Sequence, residues 1–575
     1  MVRRFIVLGL LFLGVLPSTI FSASPESSSV IDDYIDAWLE FYPSNALSLG
    51  LTQYAGRYEN LSLESIEKWL AINRATLAGI EESRGQFDRD VAIDARLIAR
   101  QIATEIERWQ KQAAHVNSPE LYERLIARAV APVLDHPRLT AGQKKDALNN
   151  RLNGLKALCR SALLNLRRGG SQRLLSSLEN AASWLEKELP SKAAPLFQQS
   201  ELQELERLAA SVAAEIRSLS ISLKRLPLTQ ENAVLGPEAY AHKLSIYTDS
   251  DITPLTLEKM ALDEIHETRR LIHQVAGDYW RETRPEKPIP DDFRELVDPV
   301  FADMESNHPA TRRQSLETYR AFATEAERFV AQKKIATLPA ARLSIVLAPP
   351  DSGPAQRIGW VDVPPPFDPD PLTTLYLPNI EDDAPTADKD DFYRSFNNHF
   401  NKMIIIHELY PGHFIQGRIA ALNPRRARIL FPYDPYIEGW ATLCEKVALD
   451  AGWDNRNKLT YLAHLRKRLE NANRAYTSVQ THCNGWTEEQ VVEFSVETSL
   501  LAPQFAKSLW GRLLSSPLQM TSYFYGKEEL TGLLDAERRR LGSRFSTLDF
   551  MDTLLRQGPI PTDEFPAIFL EKNPD

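Results

Sequence analysis

From Ile31 to about Gln332 the chain repeats a single texture, with apolar residues at helical spacing and few β-branched runs. In LSLESIEKWLAINRATLAGIEE, for example, Leu61, Ile66, Leu70, Ile72, Leu77 and Ile80 mark one face of a helix, and Ser62 stands where it can cap the start. Stripes of this kind must be buried against other elements, and with few strand-like runs nearby more than half the chain reads as helices packed on one another. Pro43, Pro132, Pro190 and Pro227 interrupt the pattern, and TRPEKPIPDD, residues 283–292, reads as a loop. No fixed-period repeat is present to suggest a solenoid.

The texture changes between Leu343 and Asn379, where LSIVLAP, IGWVDVPPPFDPDP and LTTLYLPN alternate β-branched and aromatic runs with proline clusters. These predict two or three short strands in a small antiparallel sheet, with the prolines held to edges or ends. Helical texture returns at about Ala387 and continues to an extended tail, GPIPTDEFP. The expected fold is mainly α. It comprises a helical region over 24–340 and a second region over 341–575 that carries the sheet, and the two can form one continuous helical body.

The N-terminus has Arg3 and Arg4, then an apolar run from Phe5 to Leu16, then small and polar residues through Ser24. This is the layout of a secretory signal, with roughly the first 23 residues removed and the mature chain periplasmic or secreted. The apolar run falls short of the ~20 residues a membrane span needs, so no stable span is expected after signal removal. No cysteine lies near the cleavage region, which argues against a lipid-anchored product. The three cysteines, Cys159, Cys444 and Cys483, cannot make a disulfide scaffold. Cys444 and Cys483 could pair if their helices meet, or all three could be free thiols. With a net charge of -10 and no long basic run, nucleic acid is not an expected partner.

The chemistry concentrates in IIIHELYPGHFIQ, residues 404–416. His407 and Glu408 begin like the HExxH helix of zinc proteases, but the second histidine, His413, comes six residues after the first instead of four. Phe392, Phe396, Phe400, Met403 and His407 follow helical spacing, which predicts one helical stripe with His407 facing inward. On an unbroken helix, residues six apart differ by roughly 120° in direction, so His413 would point away. Pro411 and Gly412 argue against an unbroken helix, and a local bulge or kink there could return His413 to the same side. Downstream, PYIEGWATLCEKVALDAGW places Glu438 at the head of another helix, 25 residues after His413. Two imidazoles and one carboxylate would leave a fourth position open, which is the ligation of a catalytic zinc, although such a set also accepts other divalent ions. Glu445, two turns beyond Glu438, is either a surface or salt-bridge glutamate or a support for the site.

HELYPGHFIQ, EGWATLCEKVALDAG, THCNGWTEEQ and RLLSSPLQMTSYFYG, in that order, resemble the bacterial domain-of-unknown-function family 885. The resemblance extends upstream to YPSNALSLGLTQY and to the strands ending in LYLPN, and so covers nearly all of the mature chain. Members of that family look like gluzincin metallopeptidases. The resemblance therefore implies a gluzincin-like helical body, with His407, His413 and Glu438 as metal ligands and Glu408 as general base. Cys444 and the residue after His482 depart from the family pattern, but neither is one of the implied ligands.

A peptidase of this type needs a donor for the developing oxyanion besides the metal. Tyr523 is the first candidate and His482 the second, since each lies in one of the C-terminal motif blocks. Arg512 is a candidate for binding a substrate carboxylate. Arg425, Arg426 and Arg428 read as a solvated charged face. The expected function is zinc-dependent hydrolysis of amide bonds in short peptides. The competing expectations are a helical binding or scaffold protein that keeps the motif without metal, and a hydrolase of a non-peptide amide or ester.

Overall fold

The helical periodicity becomes helices with identifiable starts. Ser62 caps Leu63–Ser83 by accepting a hydrogen bond from the Ser65 N–H. Thr140 and Gln143 form a reciprocal capping box at the head of Ala141–Asn165. Pro43, Pro132 and Pro190 each sit in the first turn of a helix, where the missing N–H has no intrahelical partner to lose. The 283–292 loop separates Pro254–Thr283 from Phe293–Ser306. The computed structural model describes residues 25–228, 234–350, 352 and 359–573. The expected signal segment, 1–23, lies outside the described residues. Among the described residues no helix is long and apolar enough to cross a membrane.

One cluster of buried apolar side chains runs from Ile31 to Phe569 and draws on residues both before and after 340. Its main junctions are the packing of Pro254–Thr283 on Lys458–Asn484 and of Asp434–Asp450 on Gln519–Leu541. Cys159, Cys444 and Cys483 are all free thiols, so the possible Cys444–Cys483 bond is not made.

The sheet has the expected size but not the expected topology. Strands β1 (Arg342–Leu347), β2 (Trp360–Asp362) and β3 (Leu372–Leu377) lie in the order β1-β3-β2. β3 pairs parallel with β1, in register from Arg342↔Leu372 to Leu347↔Leu377, and antiparallel with β2. The sheet is therefore mixed. The chain crosses over between β1 and β3 and places the third strand in the middle, whereas the strand runs suggested a purely antiparallel sheet. The proline clusters fall outside all three strands, which leaves the central strand its full set of donors.

Three other local expectations are corrected. The aromatic stripe from Phe392 to His407 spans two helices, Thr386–Ser395 and Asn398–Glu408, because Asn397 turns the chain and caps the second by accepting the Phe400 N–H at 3.0 Å. The tail GPIPTDEFP is extended only at its start, since Thr562–Glu564 is a 3-10 turn leading into Phe565–Lys572. The arginine cluster is not a solvated face. Arg428 is 3% exposed and bonds Asp94 at 2.9 Å and Asp90 at 2.7 Å, while Arg425 takes the other Asp94 oxygen at 2.8 Å. Its partners come from Arg89–Ile106, more than 300 residues away in sequence, so nothing near the arginines signals their burial.

Candidate metal centre

Five helices build the site: α1 (Asn398–Glu408), α2 (His413–Ala420), α3 (Asp434–Asp450), α4 (Lys458–Asn484) and α5 (Gln519–Leu541). The interruption in the motif is larger than a bulge. Helix α1 stops at Glu408, and His413 is the first residue of a new helix. Gly412 makes the tight junction possible, because a Cβ there would lie 1.7 Å from the His407 carbonyl oxygen. Only a residue without a side chain lets the backbone return so closely over the end of α1. Trp440 on α3 holds the junction by donating its indole N–H to the Pro411 carbonyl at 3.0 Å. As a result the His407 and His413 rings meet edge to face with centroids 5.0 Å apart.

Glu438, in the first turns of α3, completes the group. Its Oε2 lies 3.3 Å from His413 Nε2 and 3.6 Å from His407 Nε2, and all three ligand atoms fall within 4.8 Å of one another. Neither contact satisfies hydrogen-bond geometry, which leaves Glu438 Oε2 buried with no donor. The far side of each ring explains this. His407 Nδ1 faces Glu445 at 2.9 Å and His413 Nδ1 faces Gln416 Oε1 at 3.1 Å, so each Nδ1 carries the proton and each Nε2 presents a lone pair. Three acceptors thus converge where a cation is required to offset them. The donor set fits zinc, whose bonds of ~2.0–2.1 Å in tetrahedral geometry put ligand atoms about 3.3 Å apart.

The electrostatics agree. Burial opposes the charged form of Glu438, yet the two imidazoles outweigh it and hold the carboxyl well below the usual range. Burial likewise opposes a charged His413, but Glu438 and Glu408 push that ring up to about 9. That field keeps a proton on the His413 ring and would favour a divalent cation in the proton's place, leaving Nε2 its lone pair for the metal.

Glu445 is a buried hub, 1% exposed, and not a surface residue. Besides His407, it takes His464 Nδ1 at 2.9 Å and Lys467 Nζ at 2.8 Å, both from α4. Burial would raise its pKa, but Lys467 and the two histidines keep it ionised. A ligand histidine oriented by a carboxylate in this way is the common arrangement around protein-bound metals. We expect Glu445→Gln to lower zinc affinity about 10- to 100-fold, measured by competition with a chromogenic chelator. An unchanged affinity would show that Glu445 does not orient a ligand.

His407, His413 and Glu438 line one wall of a cavity of about 610 Å³, together with Glu408. Among the described residues Glu408 has no hydrogen-bond or ion-pair partner, so its carboxylate is uncommitted. Trp360 and Val361 of the edge strand β2 form a second wall, and Arg474, Arg512 and Tyr523 a third. Tyr523 is placed by the contact of α5 with α3. A Cβ on Gly526 would lie 1.8 Å from the Pro435 carbonyl oxygen, so the two backbones touch and Tyr523, three residues earlier, reaches the cavity beside Glu438. Burial and then the Glu438 charge push its hydroxyl up to about 12, and the Arg474 guanidinium stacks 4.8 Å over its ring.

His482 lies away from the cavity. Its Nδ1 accepts the Leu235 backbone N–H at 3.2 Å and its Nε2 donates to the Leu513 carbonyl at 3.0 Å, while the ring stacks on Tyr240. It does not line the cavity, and its nitrogens are used in holding backbone. The contributors not anticipated are Gln416, His464, Lys467 and Arg474. The only sequence signal for the α4 pair is that His464 and Lys467 lie one turn apart on a helix with a buried face, where a buried carboxylate elsewhere would need partners.

Solved structures share the fold. A putative lipoprotein of unknown function from Shewanella oneidensis superimposes with a TM-score of 0.82 at 19% identity, over 95% of this chain and 100% of its own. The putative lipoprotein from Colwellia psychrerythraea gives a TM-score of 0.71 at 16% identity, over 96% of this chain and 100% of its own. No curated protein matches the chain. The model of the bacterial proteins of unknown function called DUF885 matches residues 43–567, nearly the whole length, and the chain belongs to that family.

Proposed function

We propose that this chain is an exported zinc-dependent peptidase that hydrolyses amide bonds of short peptides. The observation that carries the proposal is the convergence of His407 Nε2, His413 Nε2 and Glu438 Oε2 on one point of a cavity wall that also carries the uncommitted Glu408. His407, His413 and Glu438 would hold the ion. Zinc so held supplies a Lewis acid and lowers the pKa of water from about 15.7 towards about 7.

The chain's own groups account for the rest of the chemistry. Glu408 takes the proton of the attacking water and passes it to the leaving amine, help of a kind typically worth about 10² to 10⁴-fold in rate. The Tyr523 hydroxyl stays protonated at neutral pH and can donate to the developing oxyanion. The sheet edge at β2 offers backbone groups to an extended substrate, in the manner of strand addition. Arg512 and Arg474 supply positive charge for a substrate carboxylate. The cavity volume falls in the range of about 300–1,000 Å³ typical of small-ligand sites, which favours short peptides over folded proteins. Export is supported by the charged and apolar N-terminal layout and by the lipoprotein names of the two similar structures.

Digestion of a mixed peptide library by the purified chain, with the products read by mass, tests the proposal. The expected result is time-dependent cleavage that a chelator stops and added zinc restores. Hydrolysis confined to esters would overturn the substrate class, and no hydrolysis of either would overturn the activity.

A further inference from the structure

A second cavity of about 230 Å³ lies in the helical region preceding the sheet, and none of its lining residues also lines the catalytic cavity. Four arginines border it: Arg108, Arg124, Arg128 and Arg151. The only carboxylate among its lining residues is Glu59, whose oxygens already accept the Ser44 N–H at 3.0 Å and the Ser44 hydroxyl at 2.8 Å. Arg108, Arg124 and Arg128 have no ion-pair partner among the described residues. Arg124 and Arg128 stand one turn apart at the end of the helix Pro119–Ala127, where like charges repel. Such a concentration is unexpected in a chain of net charge -10.

Arg151 carries the argument further. It is fully buried, at 0% exposure, and its guanidinium is only partly satisfied. Nε donates to the Ala55 carbonyl at 2.7 Å and Nη1 to the Ala129 carbonyl at 3.0 Å, but Nη2 has no partner. No carboxylate forms an ion pair with it among the described residues. Glu59 acts on Arg151 only from beyond ion-pair distance, so the buried cation is incompletely offset, and its unsatisfied donor adds to the cost. An anion in the cavity would offset both, and the forked donors of several guanidinium groups suit the oxygens of a phosphoryl or carboxylate group.

We infer that this cavity binds a small anion through the phosphoryl or carboxylate group it presents to Arg108, Arg124, Arg128 and Arg151. The site is independent of the metal centre, and its test does not depend on peptidase activity. Titration calorimetry of the full zinc-loaded chain with inorganic phosphate, and separately with succinate, is expected to give saturable binding of at least one probe. Phosphate alone would assign a phosphoryl ligand and succinate alone a carboxylate. Arg124 and Arg128 are exposed, so their joint replacement by alanine leaves the core intact, and it should weaken binding about tenfold or more. Removing the same charge elsewhere, with Lys333→Ala and Lys334→Ala, should leave the affinity unchanged. Failure of both probes to bind, retention of full affinity by the arginine variant, or equal weakening in the lysine variant would each overturn the inference.

Discussion

Replacing Glu408 by glutamine should reduce kcat by about 10² to 10⁴-fold while zinc content and thermal stability stay at the parent's level. Glutamine keeps the shape of the side chain but cannot accept a proton. Glu408 lines the cavity beside the three proposed ligands without joining their convergence, so its replacement removes no ligand. It also breaks no ion pair among the described residues, which separates this position from Glu438 and Glu445, where the charge holds other groups in place. Peptide turnover under single-turnover conditions, paired with elemental analysis of the same sample, reads both halves of the expectation. A variant that turns over at the parent's rate removes Glu408 from the mechanism.

The substitution Gly412→Ala should be the most damaging single change at the junction. The obstacle is contact with the end of α1, since any Cβ at Gly412 meets backbone atoms there. A methyl group would sit 1.7 Å from the His407 carbonyl oxygen and 2.5 Å from that of Ile406. Relief requires α2 to move off the end of α1, which carries His413 away from Glu438 and strains the Trp440 bond to Pro411. We expect a loss of about 3 kcal/mol of stability in denaturant unfolding, together with a large fall in bound zinc in the fraction that remains folded. Parent-like stability and zinc content in this variant would mean that the close return of the chain is not what sets the second imidazole.

The residues of the candidate metal centre were legible in the sequence to the extent that their chemistry was local. His407, Glu408 and His413 lie in one short block and Glu438 begins the next helix, so residue type and order pointed to them before any geometry. The junction itself was legible only as a disturbance. Proline and glycine announce a break, but whether the helix bulges or ends depends on the close packing of Gly412 on His407 and on the Trp440 bond, which join residues from two helices. His482 could not be told apart in the sequence, because a buried histidine that satisfies backbone groups carries the same signal as a functional one. The arginines at 425 and 428 were misread because their aspartates arrive from the other end of the chain. The mixed sheet escaped for a related reason, since a parallel pairing across an intervening strand is decided by what packs around the crossover. In each case the missing information was a long-range contact that local periodicity does not carry.

Two imidazoles brought together by a broken helix, with one carboxylate, are proposed to hold a divalent cation. Elemental analysis of the full chain, purified without chelator and compared with the His413→Ala variant, tests it most directly. Near-stoichiometric zinc or another divalent metal is expected in the parent and little in the variant, with both folded by circular dichroism. A parent free of metal even after incubation with zinc, or a variant that retains as much as the parent, would contradict it.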